Sequence, residues 1–249
     1  MITVSVKTDM ERLMRDVKAE ARQVRISAAI ALTQTAKLAQ ADIKQEMQRV
    51  FDRPVAYTLN STFVKPATVQ SLASTVGIKD DMFSGGKGTL PVNYLSPQIA
   101  GGDRKLKRFE RALQSRGHLP DGMMAVPGAA AKIDGNGNMS RGQLMQILSA
   151  LGAGEKSAGY SANRTARSRK RNRKQAQFFV GRPGGGRLPL GVWQSFRFAA
   201  GSAIKPVLIF VKRPIYRRRL DFQMIVNRTA DREFGRLFQE QMLKRGELR

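Results

Sequence analysis

The stretch KTDMERLMRDVKAEARQVRISAAIALTQTAKLAQADIKQEMQRVF, residues 7–51, leaves the fold few options. Leu13, Val17, Ala21, Val24, Ala28, Leu32, Ala36, Ala39, Ile43, Met47 and Val50 recur at steps of three or four, the spacing that aligns one face of an α-helix. Thr8 or Asp9 is the expected cap, and Pro54 in FDRP ends the helix by pushing Arg53 out of the α region. At 1.5 Å per residue such a helix runs about 60 Å, more than a small domain covers. The surplus apolar face is therefore expected to pack on another subunit. A kink around residues 33–35 that folds the two halves together is the alternative.

The remaining segments alternate short elements with loops. ITVSVK, before the helix, reads as a short strand, and TLNSTFVKPATVQSLASTVGIKDD as a strand pair rich in β-branched residues. FSGGKGTLPVNYLSPQIAGGDR has loop chemistry, and DRKLKRFERALQSRG reads as a short basic helix with Leu106, Phe109 and Leu113 on one side. PDGMMAVPGAAAKIDGNGNMS is loop and short strand, and SRGQLMQILSALGAG is a helix capped by Ser140 and ended by Gly152. AQFFVG, LGVWQSFRFAA and IKPVLIFVKRP are three apolar strands with short connections, hence an antiparallel meander. VLIFV shows no polar alternation and is expected at the centre, covered on both faces. DFQMIVNRTADREFGRLFQEQMLKR is an amphipathic helix whose apolar side carries Phe222, Ile225, Phe234, Leu237, Phe238 and Met242. The expected fold is α+β, an antiparallel sheet packed with long N- and C-terminal amphipathic helices. Residues 1–83 and 176–249 would form the core, with 84–175 a loop-rich insertion in the same structural unit.

Charge narrows the functional classes. The 249 residues carry a formal net charge of +25, which draws a chain to polyanions or acidic partners. Between Glu155 and Asp221 lie 17 Lys or Arg and no acid. The densest run holds Arg164, Arg167, Arg169, Lys170, Arg171, Arg173 and Lys174. A solvated loop or a targeting tag is the plain interpretation of such a run. Seven cations without acidic neighbours favour contact with an anionic partner, nucleic acid or an acidic protein. Without interleaved aromatics, any nucleic-acid contact would be to the backbone and indifferent to sequence. There is no cysteine, so disulfides and thiolate metal sites are excluded. The first residues lack the pattern of a signal peptide, and no apolar run approaches the roughly 18 residues of a membrane span.

Catalytic chemistry is thinly supplied. His118 is the only histidine, and beside GHLP it reads as a turn residue. The calcium-loop resemblance of DGNGNMSRGQLM fails because Met139 and Met145 occupy the positions that require Gly and Glu. GRPGGGRL has P-loop spacing, but Arg187 and Leu188 stand where Lys and Ser or Thr belong. GGKGT is equally weak as a phosphate loop. Asp80 and Asp81 are adjacent, so on a strand they point to opposite faces and converge poorly on a metal. No catalytic residue, cofactor or metal site is expected.

Taken in order, the long first helix, FDRPVAYTLNSTFVKPAT, YLSPQIAGGDRKLKRFERAL, GHLPDGMMAVPGAAAKIDGNGNMSRGQLMQILSAL, FFVG, LPLGVWQSF and IKPVLIFVKRPIYRRRLDF resemble structural proteins of tailed bacteriophages. The group is the tail-completion and head–tail-joining proteins, including those called minor tail protein Z-like. This resemblance implies a non-enzymatic virion protein of the neck or tail, assembled in the host cytoplasm. It also implies a homo-oligomeric ring, often hexameric, that contacts other tail or connector proteins near packaged DNA. A sequence-independent DNA-binding or packaging-associated protein is the alternative.

Overall fold

In the computed structural model, residues 6–80, 89–154, 156–157, 160–161, 165, 167, 177–198 and 201–246 are described, with side chains described from residue 17 except at 156–157, 160–161 and 197–198. The chain is α+β. It divides into two compact units, one made of Met1–Leu95 with Arg218–Arg249, the other of Ser96–Arg217.

The first unit is built on α1, Val6–Val50, an unbroken helix of 45 residues and about 67 Å. No kink interrupts residues 33–35. The strand expected over residues 2–7 falls mostly outside the described residues, and Val6 and Lys7 are already helical, so the cap is not Thr8 or Asp9. The chain ends α1 at FDRP, where Arg53 takes φ +44° ahead of Pro54. A single turn of helix, α2 (Ala56–Leu59), leads into an antiparallel pair, β1 (Thr62–Lys65) with β2 (Thr75–Ile78), as the β-branched content predicts. This hairpin lies along α1: Gln40 Nε2 donates to the Thr62 carbonyl at 3.0 Å, and the Thr33 hydroxyl accepts the Ala67 N–H at 3.1 Å.

The C-terminal helix α6, Phe222–Gly246, packs antiparallel on α1. Its direction is fixed at two places. The Ser27 hydroxyl donates to the Gln241 carbonyl, and Asp42 accepts from the Thr229 hydroxyl at 2.6 Å and from Arg232 at 3.1 Å. Ala31 and Ala39 of α1 and Leu237 of α6 are buried between these places, and Ile43 and Met47 of α1 and Ile225 of α6 are buried beyond Asp42 and Thr229. The two alanines let the backbones approach while the larger residues fill the far end. The segment LPVNYLSPQIA, assigned to loop on its prolines, is instead the helix α3, Pro91–Ala100. Pro91 stands at the first helical position, where a missing N–H costs nothing and the fixed φ is helical already.

The second unit carries a four-stranded antiparallel sheet. Its strands are β4 (Met123–Pro127), β7 (Gln177–Gly181), β8 (Gly191–Phe198) and β9 (Gly201–Lys212), in the order β4-β9-β8-β7. The last three form the expected meander, and VLIFV lies in the inner strand β9. Two helices, α4 (Arg108–Gln114) and α5 (Arg141–Ala150), belong to this unit. Leu113, Leu119, Ile147 and Leu148 form one core with Ala125, Val192, Val207, Leu208 and Phe210 of the sheet. The short strand expected in PDGMMAVPGAAAKIDGNGNMS, β4, pairs with the edge of β9, and residues of α4 and α5 share a core with the meander. Four two-residue strands complete the described set: β3 (Gly102–Asp103), which pairs with β10 (Ile215–Tyr216), and a β5 (Lys156–Ser157)–β6 (Tyr160–Ser161) pair.

The sheet tolerates no side chain at Gly191, where an added Cβ would overlap the Leu208 carbonyl oxygen and crowd the Ile209 backbone. Gly191→Ala must part β8 from β9, at a cost of about 1–3 kcal/mol. Thermal unfolding should show a Tm several degrees lower, whereas Gly142→Ala, which meets only ordinary contact, should leave Tm near the parent value.

Candidate interaction surfaces

The polar residues singled out for chemistry serve the fold. The His118 ring donates through Nε2 to the Leu151 carbonyl at 2.9 Å, tying the turn after α4 to the end of α5. Asp134 accepts the N–H groups of Asn136 and Asn138, each at 2.9 Å, and closes the tight turn expected of DGNGN. GRPGGGRL connects β7 to β8 as a hairpin loop, with Gly184, Gly185 and Gly186 all at positive φ. Asp81 lies outside the described residues. Among the described residues, no three His, Cys, Asp or Glu side chains come together, and no helix is long and apolar enough to cross a membrane.

Of the seven cations predicted to meet an anionic partner, Arg167 is described, and it is exposed. Arg164, Arg169, Lys170, Arg171, Arg173 and Lys174 lie outside the described residues. The unit to which they belong is strongly basic throughout. Residues 96–217 hold 23 Lys and Arg against 5 Asp and Glu, so 18 cations remain even if every acid takes one. The other unit holds 21 against 14. Its acids are spread through the helices as ion pairs, such as Glu46–Arg49, Glu233–Arg236 and Glu240–Lys244.

One acid of the basic unit is withdrawn from the surface altogether. Glu110 is fully buried and its carboxylate accepts four hydrogen bonds. Arg104 grips it with both arms, at 2.7 and 2.6 Å, the Lys107 N–H donates at 2.7 Å, and the Ala125 N–H donates at 3.0 Å. The Lys107 bond is a reach from the third helical residue back to the start of α4. The Ala125 bond ties that helix to β4. Burial alone would push the Glu110 carboxyl up, but the Arg104 guanidinium and the two backbone donors outweigh it and hold the pKa below the usual 4.5. Sequence reading missed this pair. Its signal is present in RKLKRFER, where a single acid stands inside a basic run with an arginine six residues before it.

A second surface is apolar and lies on α1. The end of α6, Gly246, comes five residues after Gln241, which stands beside Ser27. In an antiparallel pair that brings α6 to about Arg22 of α1. Under α6 the seam Ala28, Ala31 and Thr35 is buried or half-buried. Toward the N-terminus the same stripe continues through Val24, Ala21 and Val17, with Val24 41% and Val17 57% exposed. The apolar positions along residues 36–47 coincide with buried residues, and the positions before Ser27 do not. No protein-family model, no curated protein and no solved structure matches this chain.

Two outcomes follow from these contacts. Glu110→Gln should cost about 3–5 kcal/mol, because it leaves the Arg104 guanidinium facing a neutral amide in a buried site. The lowered pKa means that the native carboxylate adds stability above pH 4.5, and that this is lost as pH falls through the lower folded value. Denaturant melts below pH 4.5 should therefore fall more steeply for the parent than for Glu110→Gln. Val17→Asp with Val24→Asp alters exposed side chains only, so circular dichroism should be unchanged while sedimentation shows at least tenfold weaker self-association.

Proposed function

We propose that this chain is a non-enzymatic structural subunit of a tailed-phage virion, a head–tail-joining or tail-completion component that acts by oligomeric assembly. The single observation that carries the reading is the α1 stripe: a helix seam continuous with one already closed by α6 runs on through Val24, Ala21 and Val17, which no described residue covers. Apolar stripes of that kind mark subunit contacts. A second copy, in a homo-oligomeric ring such as a hexamer, is the partner that supplies a matching helix. The order of elements that resembles tail-completion and head–tail-joining proteins supports the same reading. So does the scarcity of convergent titratable groups, since assembly asks only for complementary surfaces. Other tail or connector proteins are its further partners, and its place is the neck or tail of the virion after assembly in the host cytoplasm.

A second reading is favoured by the charge of the Ser96–Arg217 unit: a sequence-independent DNA-binding or packaging-associated protein.

The two readings separate in a phage that encodes the chain. Removing it should leave filled heads and tails that fail to join, and purified parental virions should contain several copies of the protein in the neck or tail. A packaging role would instead leave joined particles with altered DNA content. Absence of the protein from virions would contradict the structural reading.

A further inference from the structure

Two basic runs more than a hundred residues apart are brought side by side by the shortest ladder in the chain. DRKLKRFER, residues 103–111, and KRPIYR, residues 212–217, meet where Ile215 pairs with Asp103 and Tyr216 with Gly102. Arg213 reaches Asp103 across this ladder at 3.7 Å. Lys212 stands opposite Met123 of β4, two residues from the Ala125 N–H that holds Glu110 and so the start of α4. Lys105, Lys107, Arg111, Lys212, Arg213 and Arg217 are all exposed around this junction. The region holds two acids: Asp103 faces Arg213, and Glu110 is buried under Arg104.

We propose that the β3–β10 ladder and the adjoining α4 form a contact surface for the phosphate backbone of duplex DNA. The inference deepens the assembly reading, on which it rests for the presence of packaged DNA, and it places the contact outside the 164–174 run. The argument is charge density. A seven-residue helix and a two-residue ladder span on the order of 20 Å. Duplex DNA offers roughly one negative charge per 1.7 Å over that length, which matches a cluster this crowded. An acidic protein would need an equally concentrated face. It would also be expected to cover Ile215, which stands 81% exposed within the second run, opposite Asp103. Cations on flexible stems without an exposed aromatic platform contact phosphates and leave base edges unread, so binding is indifferent to sequence.

The test is fluorescence anisotropy of the full chain with two unrelated 30-base-pair DNA duplexes over a series of salt concentrations. Both duplexes should give the same affinity, and log K against log salt should slope at about −4 or steeper, at roughly −0.9 per phosphate contact. Lys105→Ser, Arg111→Ser, Lys212→Ser and Arg217→Ser together should flatten that slope by about 3 to 4, whereas Ile215→Ser should leave it unchanged. If the combined variant loses its circular dichroism spectrum, Lys105→Ser alone still reads the effect, as a change of about 0.9. A parental slope near zero would overturn the inference, as would an unchanged slope in the variants. So would a loss of DNA binding in Ile215→Ser as large as in the combined variant, since contact through charge does not depend on an uncharged side chain. These outcomes stand apart from the assembly reading: a chain absent from virions with an intact slope sinks only that reading, and a chain in virions with no slope sinks only this one.

Discussion

A buried carboxylate organises the basic unit. Glu110 accepts from Arg104, from the first turn of α4 and from the backbone of β4, so one side chain joins a loop, a helix and a sheet edge. A carboxylate in that position must be charged and fully hydrogen-bonded or the site does not close. The same arrangement has a consequence for the surface. It removes the acid from RKLKRFER and spends it on Arg104, while Lys105, Lys107 and Arg111 remain exposed around it. Internal structure and external electrostatics are thus set by the same residue.

The helical unit rests on a different imbalance. α1 has 45 residues and α6 has 25, so one helix cannot cover the other. Where they overlap, alanines on α1 permit close packing, and Asp42, Thr229 and Arg232 fix the antiparallel direction. Where they do not, valines remain in solvent at positions that continue the packed seam. A short C-terminal helix against a long N-terminal one is what a subunit needs if the rest of its seam is to be closed by a neighbour. Charge and apolar surface are also divided between the units: acids and bases are interleaved along the helices, while the sheet unit carries most of the positive excess.

Much of the fold was legible because it follows from local periodicity. The continuity of α1, the β1–β2 hairpin, the meander and the inner position of VLIFV all come from spacing and short connections that act within a few residues. What escaped came from partners distant in sequence. LPVNYLSPQIA looks like loop because it carries two prolines between glycine-rich flanks, yet Pro91 starts a helix and Pro97 is accommodated within it. MMAVP is legible as a short strand, but no local pattern says that it pairs with β9, and it is that pairing that gives α4 and α5 a shared core with the meander. The stripe on α1 was drawn as a single face, but its buried side drifts where the hairpin and α6 both press on the helix. For the candidate surfaces, the 164–174 run stands out by composition alone. The junction of residues 103–111 with 212–217 does not, because no local pattern announces that Ile215 will pair with Asp103.

If this chain works by touching copies of itself, as proposed, its mass in solution shows it. Mass photometry of the 249-residue chain across a concentration series should resolve one closed oligomer, with a mass that is a fixed whole-number multiple of 27.6 kDa and that stops growing as concentration rises. A particle that stays at 27.6 kDa at every concentration would contradict the account.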